Sequence, residues 1–150
     1  MKLRRIDHIG INVHDLEAAK DFFITLGMEV MGDAEVGGDL PDRVMGMQGS
    51  RSTLTMLRTP DGNANIELIK FHSPLPPAET LESQSTALPN VPGIRHLTFA
   101  VEGLEELVAK LEPKGGKLMG EIVNYENIYK LCYLRGPEGI ILELAEELGS

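Results

Sequence analysis

The sequence predicts an α+β fold of two tandem βαβββ modules, which form a curled mixed sheet with helices on the outside. The first observation is a phrase that occurs twice, since residues 6–13 and 94–101 are both apolar strand patterns with a histidine in third place. The second is the amphipathic helical pattern that follows each copy. The third is an apolar strand with one central glutamate, Glu67 or Glu143, later in each copy. This repeated order indicates an internal duplication.

Composition restricts the class of protein. The chain has 150 residues, of which 42% are hydrophobic and 25% charged, and this predicts one domain, 1–150, with a real core. A net charge of −9 without a basic stripe argues against nucleic acid as a partner. No apolar run approaches the roughly 20 residues of a membrane helix. We expect a cytoplasmic protein, because the first residues lack an export signal and Cys132 cannot form an internal disulfide.

The first module is expected to cover about residues 1–71. Its helix is predicted at about 15–26, with Asp15 as N-cap and Gly27 as the stop, because apolar residues recur there at the helical period. A glycine-rich stretch runs to about residue 50. The strands of this module are expected at about 5–13, 28–31, 52–59 and 64–71.

The second module is expected to cover about residues 94–150. Its helix is predicted at about 103–112 and is ended by Pro113. Residues 72–93 contain five of the nine prolines and are expected to be a linker without a strand or a long helix. The strands of this module are expected at about 94–101, 117–122, 129–135 and 139–145.

Strand alternation predicts where the repeated histidines and glutamates point. His8 and His96 lie opposite the bulky apolar face of their strands, and Glu67 and Glu143 are flanked by apolar residues of the other face. A single strand histidine is usually structural, and a single strand glutamate usually faces solvent. The duplicated pairing favours a metal site instead, because a divalent cation with two carboxylates and two neutral imidazoles has no net charge.

These residues carry a family resemblance. The segments Asp7-His8-Ile9-Gly10, Ile66-Glu67-Leu68, Arg95-His96-Leu97 and Gly139-Ile140-Ile141-Leu142-Glu143-Leu144 resemble the vicinal-oxygen-chelate superfamily of glyoxalases, bleomycin resistance proteins and extradiol dioxygenases. In that family, paired βαβββ modules cup one divalent metal. The resemblance implies that His8, Glu67, His96 and Glu143 are the metal ligands. Zinc, nickel, cobalt, manganese and iron(II) all suit such ligands.

The full ligand set looks most like that of glyoxalase I, a lactoylglutathione lyase. The resemblance implies a lyase or isomerase that removes a proton next to a metal-chelated carbonyl through an enediolate, with Glu143 or Glu67 as the base. Its substrate would be a small molecule with adjacent oxygens. The alternatives are a methylmalonyl-CoA epimerase-like racemase, an Fe(II) extradiol dioxygenase and a non-catalytic drug-binding protein. The resemblance also implies a homodimer, with the metal site either within one chain or shared by two.

Three further side chains are candidates for substrate binding. Arg135, Tyr125 and Tyr129 belong to the second module, and Arg135 ends a strand near the predicted cup. The alternative interpretation is that they are surface or interface side chains. Cys132 lies in an apolar strand and is expected to belong to the core.

Overall fold

The computed structural model describes residues 1–149, apart from the side chain of residue 81. The chain divides into two compact units, the first ending at Pro76 and the second beginning at Pro77. Each unit contains one mixed sheet, and the predicted α+β class with βαβββ modules is confirmed. The single domain 1–150 stays a prediction. Among the described residues, no helix combines the length and apolarity needed to cross a membrane.

The first unit contains a four-stranded sheet in the order β1-β4-β3-β2. Strand β1 is parallel to β4, and the other neighbours are antiparallel. The helix α2 was not expected from the glycine-rich sequence, and β2 is longer than predicted. The elements are β1 (Ile9–Asn12), α1 (Leu16–Leu26), β2 (Glu29–Gly37), α2 (Asp39–Met45), β3 (Arg51–Arg58) and β4 (Asn65–Ser73).

The second unit contains a five-stranded sheet in the order β5-β9-β8-β6, with β7 also paired to β8. Strand β5 is parallel to β9, which repeats the pairing of β1 with β4. The short strand β7 and the helix α3, which lies in the predicted linker, were not expected. The elements are α3 (Ala78–Ser85), β5 (His96–Ala100), α4 (Leu104–Leu111), β6 (Lys117–Leu118), β7 (Val123–Tyr125), β8 (Tyr129–Arg135) and β9 (Ile141–Glu147).

The two equivalent helices begin in different ways. At α1, the side chain of Asp15 accepts a hydrogen bond from the amide of Ala18 at 3.0 Å, and Gly27 ends the helix with φ of 126°. The predicted cap and stop are therefore confirmed. At α4, the carboxylate of Glu146 on β9 accepts hydrogen bonds from the amides of Gly103, at 2.6 Å, and Leu104, at 3.2 Å. This cap comes from a distant strand, so local sequence gives no sign of it.

The helices bury one face of each sheet. In the first unit, α1 contacts β3 and β4, and the fully buried residues include Phe22, Phe23 and Leu68. In the second unit, α4 contacts β9, where Leu142 and Leu144 are fully buried. Since side chains alternate along a strand, the opposite face of each sheet carries the residues between these leucines. That opposite face holds the predicted metal ligands.

The helix α3 is attached to the turn between β8 and β9. The guanidinium of Arg135 donates hydrogen bonds to the carbonyls of Ser85 and Gly139, both at 3.2 Å, and to the carbonyl of Ala87 at 2.7 Å. Gly139 has φ of +84°, and a Cβ atom placed there would lie 2.4 Å from the Cα of Ser85. The close approach of two backbones therefore requires glycine at this position.

Replacing Gly139 with alanine should lower the free energy of unfolding by at least about 1 kcal/mol, because the methyl group meets the backbone of α3 and the residue has a left-handed conformation. The matched control is Gly120→Ala, whose methyl group would meet no atom within 4 Å. That variant should stay within about 0.5 kcal/mol of wild type. Urea denaturation measures both, and equal stability of the two variants would contradict the described packing of α3.

Candidate functional site

The first unit brings His8 and Glu67 together. The parallel register of β1 and β4 places Gly10 beside Glu67, and His8 precedes β1 on the same side. His8 Nε2 lies 3.8 Å from Glu67 Oε2, which is too far for a hydrogen bond. Two ligands of one ion, each about 2.0–2.2 Å from it, lie roughly 3–3.7 Å apart. The spacing therefore fits two metal ligands with little adjustment.

The second unit repeats this arrangement with His96 and Glu143. The parallel register of β5 and β9 places Thr98 beside Glu143. His96 Nε2 lies 3.7 Å from Glu143 Oε1. The histidine side chains are 39% and 34% exposed, and the glutamate side chains 20% and 21%. Each pair is thus open to an ion or a small molecule at the imidazole, whereas each carboxylate is largely covered.

The histidine of the first pair is held by its neighbour in the sequence. Asp7 Oδ1 lies 2.7 Å from His8 Nδ1, and the guanidinium of Arg5 donates to Asp7 at 3.3 Å. The hydrogen bond with Asp7 is the main reason why the pKa of His8 is raised, and the same bond lowers the pKa of Asp7. Because Nδ1 is engaged, Nε2 is the nitrogen that remains directed at Glu67.

The second pair has different neighbours. The hydroxyl of Thr98 donates a hydrogen bond to Glu143 Oε1 at 2.8 Å. The ring of His96 lies against that of Tyr133, with ring centroids 5.0 Å apart, and Tyr133 is opposite Glu143 in the register of β8 and β9. The second pair is therefore supported at its carboxylate and along its imidazole ring.

The predicted substrate-binding residues lie in the second unit. Tyr125 and Tyr129 are partners in the register of β7 and β8, and both are exposed. Alternation along β8 puts Tyr129 on the same face as Tyr133. Of these two residues, Tyr133 is the one opposite Glu143. Arg135 belongs to this face as well, but its guanidinium binds the three carbonyls near α3. Contact of these side chains with a substrate stays a prediction.

Three residues near the pairs were not singled out from the sequence. Tyr133 follows the same alternation as Tyr129, so strand parity was a sufficient signal once the register with Glu143 was known. Thr98 was visible only as a small polar neighbour of His96. Asp7 was visible only as part of the family segment.

The donor types suit a divalent transition metal, because each pair combines an imidazole nitrogen with a carboxylate oxygen. Within residues 1–149, no three His, Cys, Asp or Glu side chains form a group that could hold one ion. The structure nevertheless places His8 near Glu67 and His96 near Glu143. Joint binding of one ion by His8, Glu67, His96 and Glu143 stays a prediction.

A family profile and a solved structure place the chain in one family. The profile of the Glyoxalase/Bleomycin resistance protein/Dioxygenase superfamily matches residues 5–144. A glyoxalase family protein of known structure from Bacillus cereus is 40% identical, with a TM-score of 0.92 over 99% of this chain and 97% of that one. The uncharacterized protein YwbC of Bacillus subtilis (strain 168) is 28% identical over 93% of this chain and 95% of its own length. The uncharacterized protein YaeR of Escherichia coli (strain K12) is 28% identical, with coverage of 97% and 98%.

Replacing Asp7 with asparagine should lower the pKa of His8 toward the ordinary value of 6.5, because a neutral amide oxygen stabilises the imidazolium less than the carboxylate does. Stabilisation by the raised pKa of His8 is present below pH 6.5 and is lost as the pH rises through the folded-state value. Stabilisation by the lowered pKa of Asp7 is present above its ordinary value of 3.8 and is lost as the pH falls through its folded-state value. The hydrogen-bonded pair of Asp7 and His8 therefore contributes most to folding stability between about pH 3.8 and pH 6.5.

NMR titration of the histidine ring protons in metal-free protein measures this shift. Glu17→Gln is the control, because it removes an exposed carboxylate elsewhere in the first unit. It should leave the titration of His8 unchanged. An unchanged titration in the Asp7→Asn variant would contradict the hydrogen bond between Asp7 and His8.

Proposed function

Because the chain belongs to the Glyoxalase/Bleomycin resistance protein/Dioxygenase superfamily, we propose that it is a divalent-metal-dependent lyase or isomerase of the glyoxalase type. One observation carries the proposal: two His–Glu pairs with nearly equal spacing, 3.8 Å and 3.7 Å, lie at equivalent positions of the two modules. A structural role alone does not explain why the duplication kept both pairs.

The proposed ligands are His8, Glu67, His96 and Glu143. A metal ion bound by them supplies Lewis acidity at a carbonyl oxygen, so that a proton on the neighbouring carbon becomes acidic. Charge supports the assignment, because two carboxylates that are largely withdrawn from water are costly unless a cation or hydrogen-bond donors compensate them. Zinc, nickel, cobalt, manganese and iron(II) are the candidate ions.

The carboxylates also provide the acid–base chemistry. Glu67 and Glu143 are the carboxylates next to the paired imidazoles, and one of them takes the proton from the substrate carbon and returns it to the neighbouring carbon. The proposed substrate is a small molecule with two adjacent oxygens, as in the hemithioacetal used by a lactoylglutathione lyase. Tyr125, Tyr129 and Arg135 are the proposed substrate contacts.

Assembly and location belong to the same proposal. We propose a homodimer, since proteins with this fold often form dimers. We also propose that the protein acts in the cytoplasm, because its single cysteine, Cys132, is free, as is usual in a reducing compartment. Sedimentation analysis, combined with the number of ions bound per chain, measures the assembly and the use of the four ligands together.

Glu67→Gln and Glu143→Gln should each lower turnover of a hemithioacetal by about 100-fold or more, because each variant removes a carboxylate of the proposed site. The assay uses protein loaded in turn with zinc, nickel, cobalt or manganese. The control is Glu147→Gln, an exposed glutamate of the same strand β9, which should keep wild-type turnover. Thermal unfolding of the metal-free proteins should be similar for all three variants.

Several outcomes would contradict the proposal. Full activity in both glutamine variants would exclude the proposed chemistry. Oxygen-dependent turnover with Fe(II) would identify a dioxygenase, and epimerisation of a CoA thioester would identify a racemase. Protein that binds none of the candidate ions, and gains no melting temperature from them, would be a non-catalytic binding protein.

A further inference from the structure

The two pairs have nearly the same spacing, but their carboxylates have different support. In the second unit, Thr98 lies beside Glu143 in the strand register, and its hydroxyl donates a hydrogen bond to the carboxylate at 2.8 Å. In the first unit, Gly10 occupies the equivalent place beside Glu67. Glycine has no side chain, so Gly10 cannot make the bond that Thr98 makes.

The hydrogen bond of Thr98 restricts one particular atom. Glu143 Oε1 accepts the bond from the hydroxyl, and the same oxygen lies 3.7 Å from His96 Nε2. The bond therefore limits rotation of the carboxylate and keeps this oxygen beside the imidazole. Glu67 Oε2 lies 3.8 Å from His8 Nε2 without a comparable donor from β1.

We propose that Thr98 is a positioning residue that holds the carboxylate of Glu143 beside His96. The inference rests on the proposed function, since it concerns one of the proposed metal ligands. It distinguishes two modules that the duplicated sequence leaves equivalent, because Gly10 offers no such donor to Glu67.

The expected effect of Thr98 follows from general properties of metal sites. Groups that hydrogen-bond to a ligand orient it, and their removal typically lowers metal affinity by about 10-fold to 100-fold. A ligand that is already oriented loses less conformational entropy when an ion binds. Removal of the Thr98 hydroxyl should therefore weaken the binding of an ion at Glu143.

The test measures binding of Co²⁺ to the metal-free full-length chain by calorimetry and by the visible spectrum of the bound ion. Thr98→Val should weaken binding by about 10-fold or more and change the spectrum, because the hydroxyl is replaced by a methyl group of similar size. Thr98→Ser keeps the hydroxyl and should restore most of the affinity and the wild-type spectrum. Equal binding by wild type and Thr98→Val would overturn the inference, as would equal weakening in the valine and serine variants.

A second comparison shows whether Thr98 acts through Glu143. Thr98→Val should weaken Co²⁺ binding in the wild-type background but have little further effect in the Glu143→Gln background, since the two residues then form a coupled pair. Additive effects of the two substitutions would overturn the inference.

The wild-type titration separates the two levels of the argument. Wild-type protein that binds no Co²⁺ would overturn the proposed function, and this inference with it. Wild-type protein that binds Co²⁺ as tightly as the Thr98→Val variant would overturn the inference alone and leave the proposed function standing.

Discussion

The parallel pairing of the first and last strands of each module is the constraint on which the rest of the structure depends. This pairing sets Gly10 beside Glu67 and Thr98 beside Glu143. A helix covers one face of each sheet, so the apolar neighbours of each glutamate are buried and the glutamate itself must occupy the other face. A register shift by one residue would exchange the two faces and is opposed by the full burial of Leu68 and its counterparts.

The same constraint creates an electrostatic demand. Each glutamate side chain is only about one-fifth exposed, namely 20% for Glu67 and 21% for Glu143, and each lies near an imidazole without a direct hydrogen bond to it. A carboxylate withdrawn from water is costly unless a cation or hydrogen-bond donors compensate. Thr98 supplies one donor to Glu143, whereas Glu67 faces a glycine. The demand for a cation is therefore greater in the first module than in the second.

The sequence predicts features that depend on local patterns, and it misses those that depend on distant partners. The cap of α1 by Asp15 is local and was predictable, whereas the cap of α4 by Glu146 on β9 requires knowledge of the sheet. The helix α3 lies between prolines that predict a linker, and its place is set by hydrogen bonds from Arg135 at the end of β8. The His–Glu pairs were predictable because the duplication doubled a weak signal, whereas Tyr133 needed the register of β8.

Comparison of equivalent positions shows where the two modules have diverged. Thr98 corresponds to Gly10, Arg95 to Asp7, and Tyr133, which is opposite Glu143, to Met56, which is opposite Glu67. The spacing of the His–Glu pairs has been retained while each of these neighbours has changed. Selection on a structural strand would not distinguish the pairs from their neighbours. Selection on bound metal would keep the two pairs and allow their surroundings to specialise. Asp7 contacts the imidazole in the first module, whereas Thr98 contacts the carboxylate and Tyr133 the imidazole in the second.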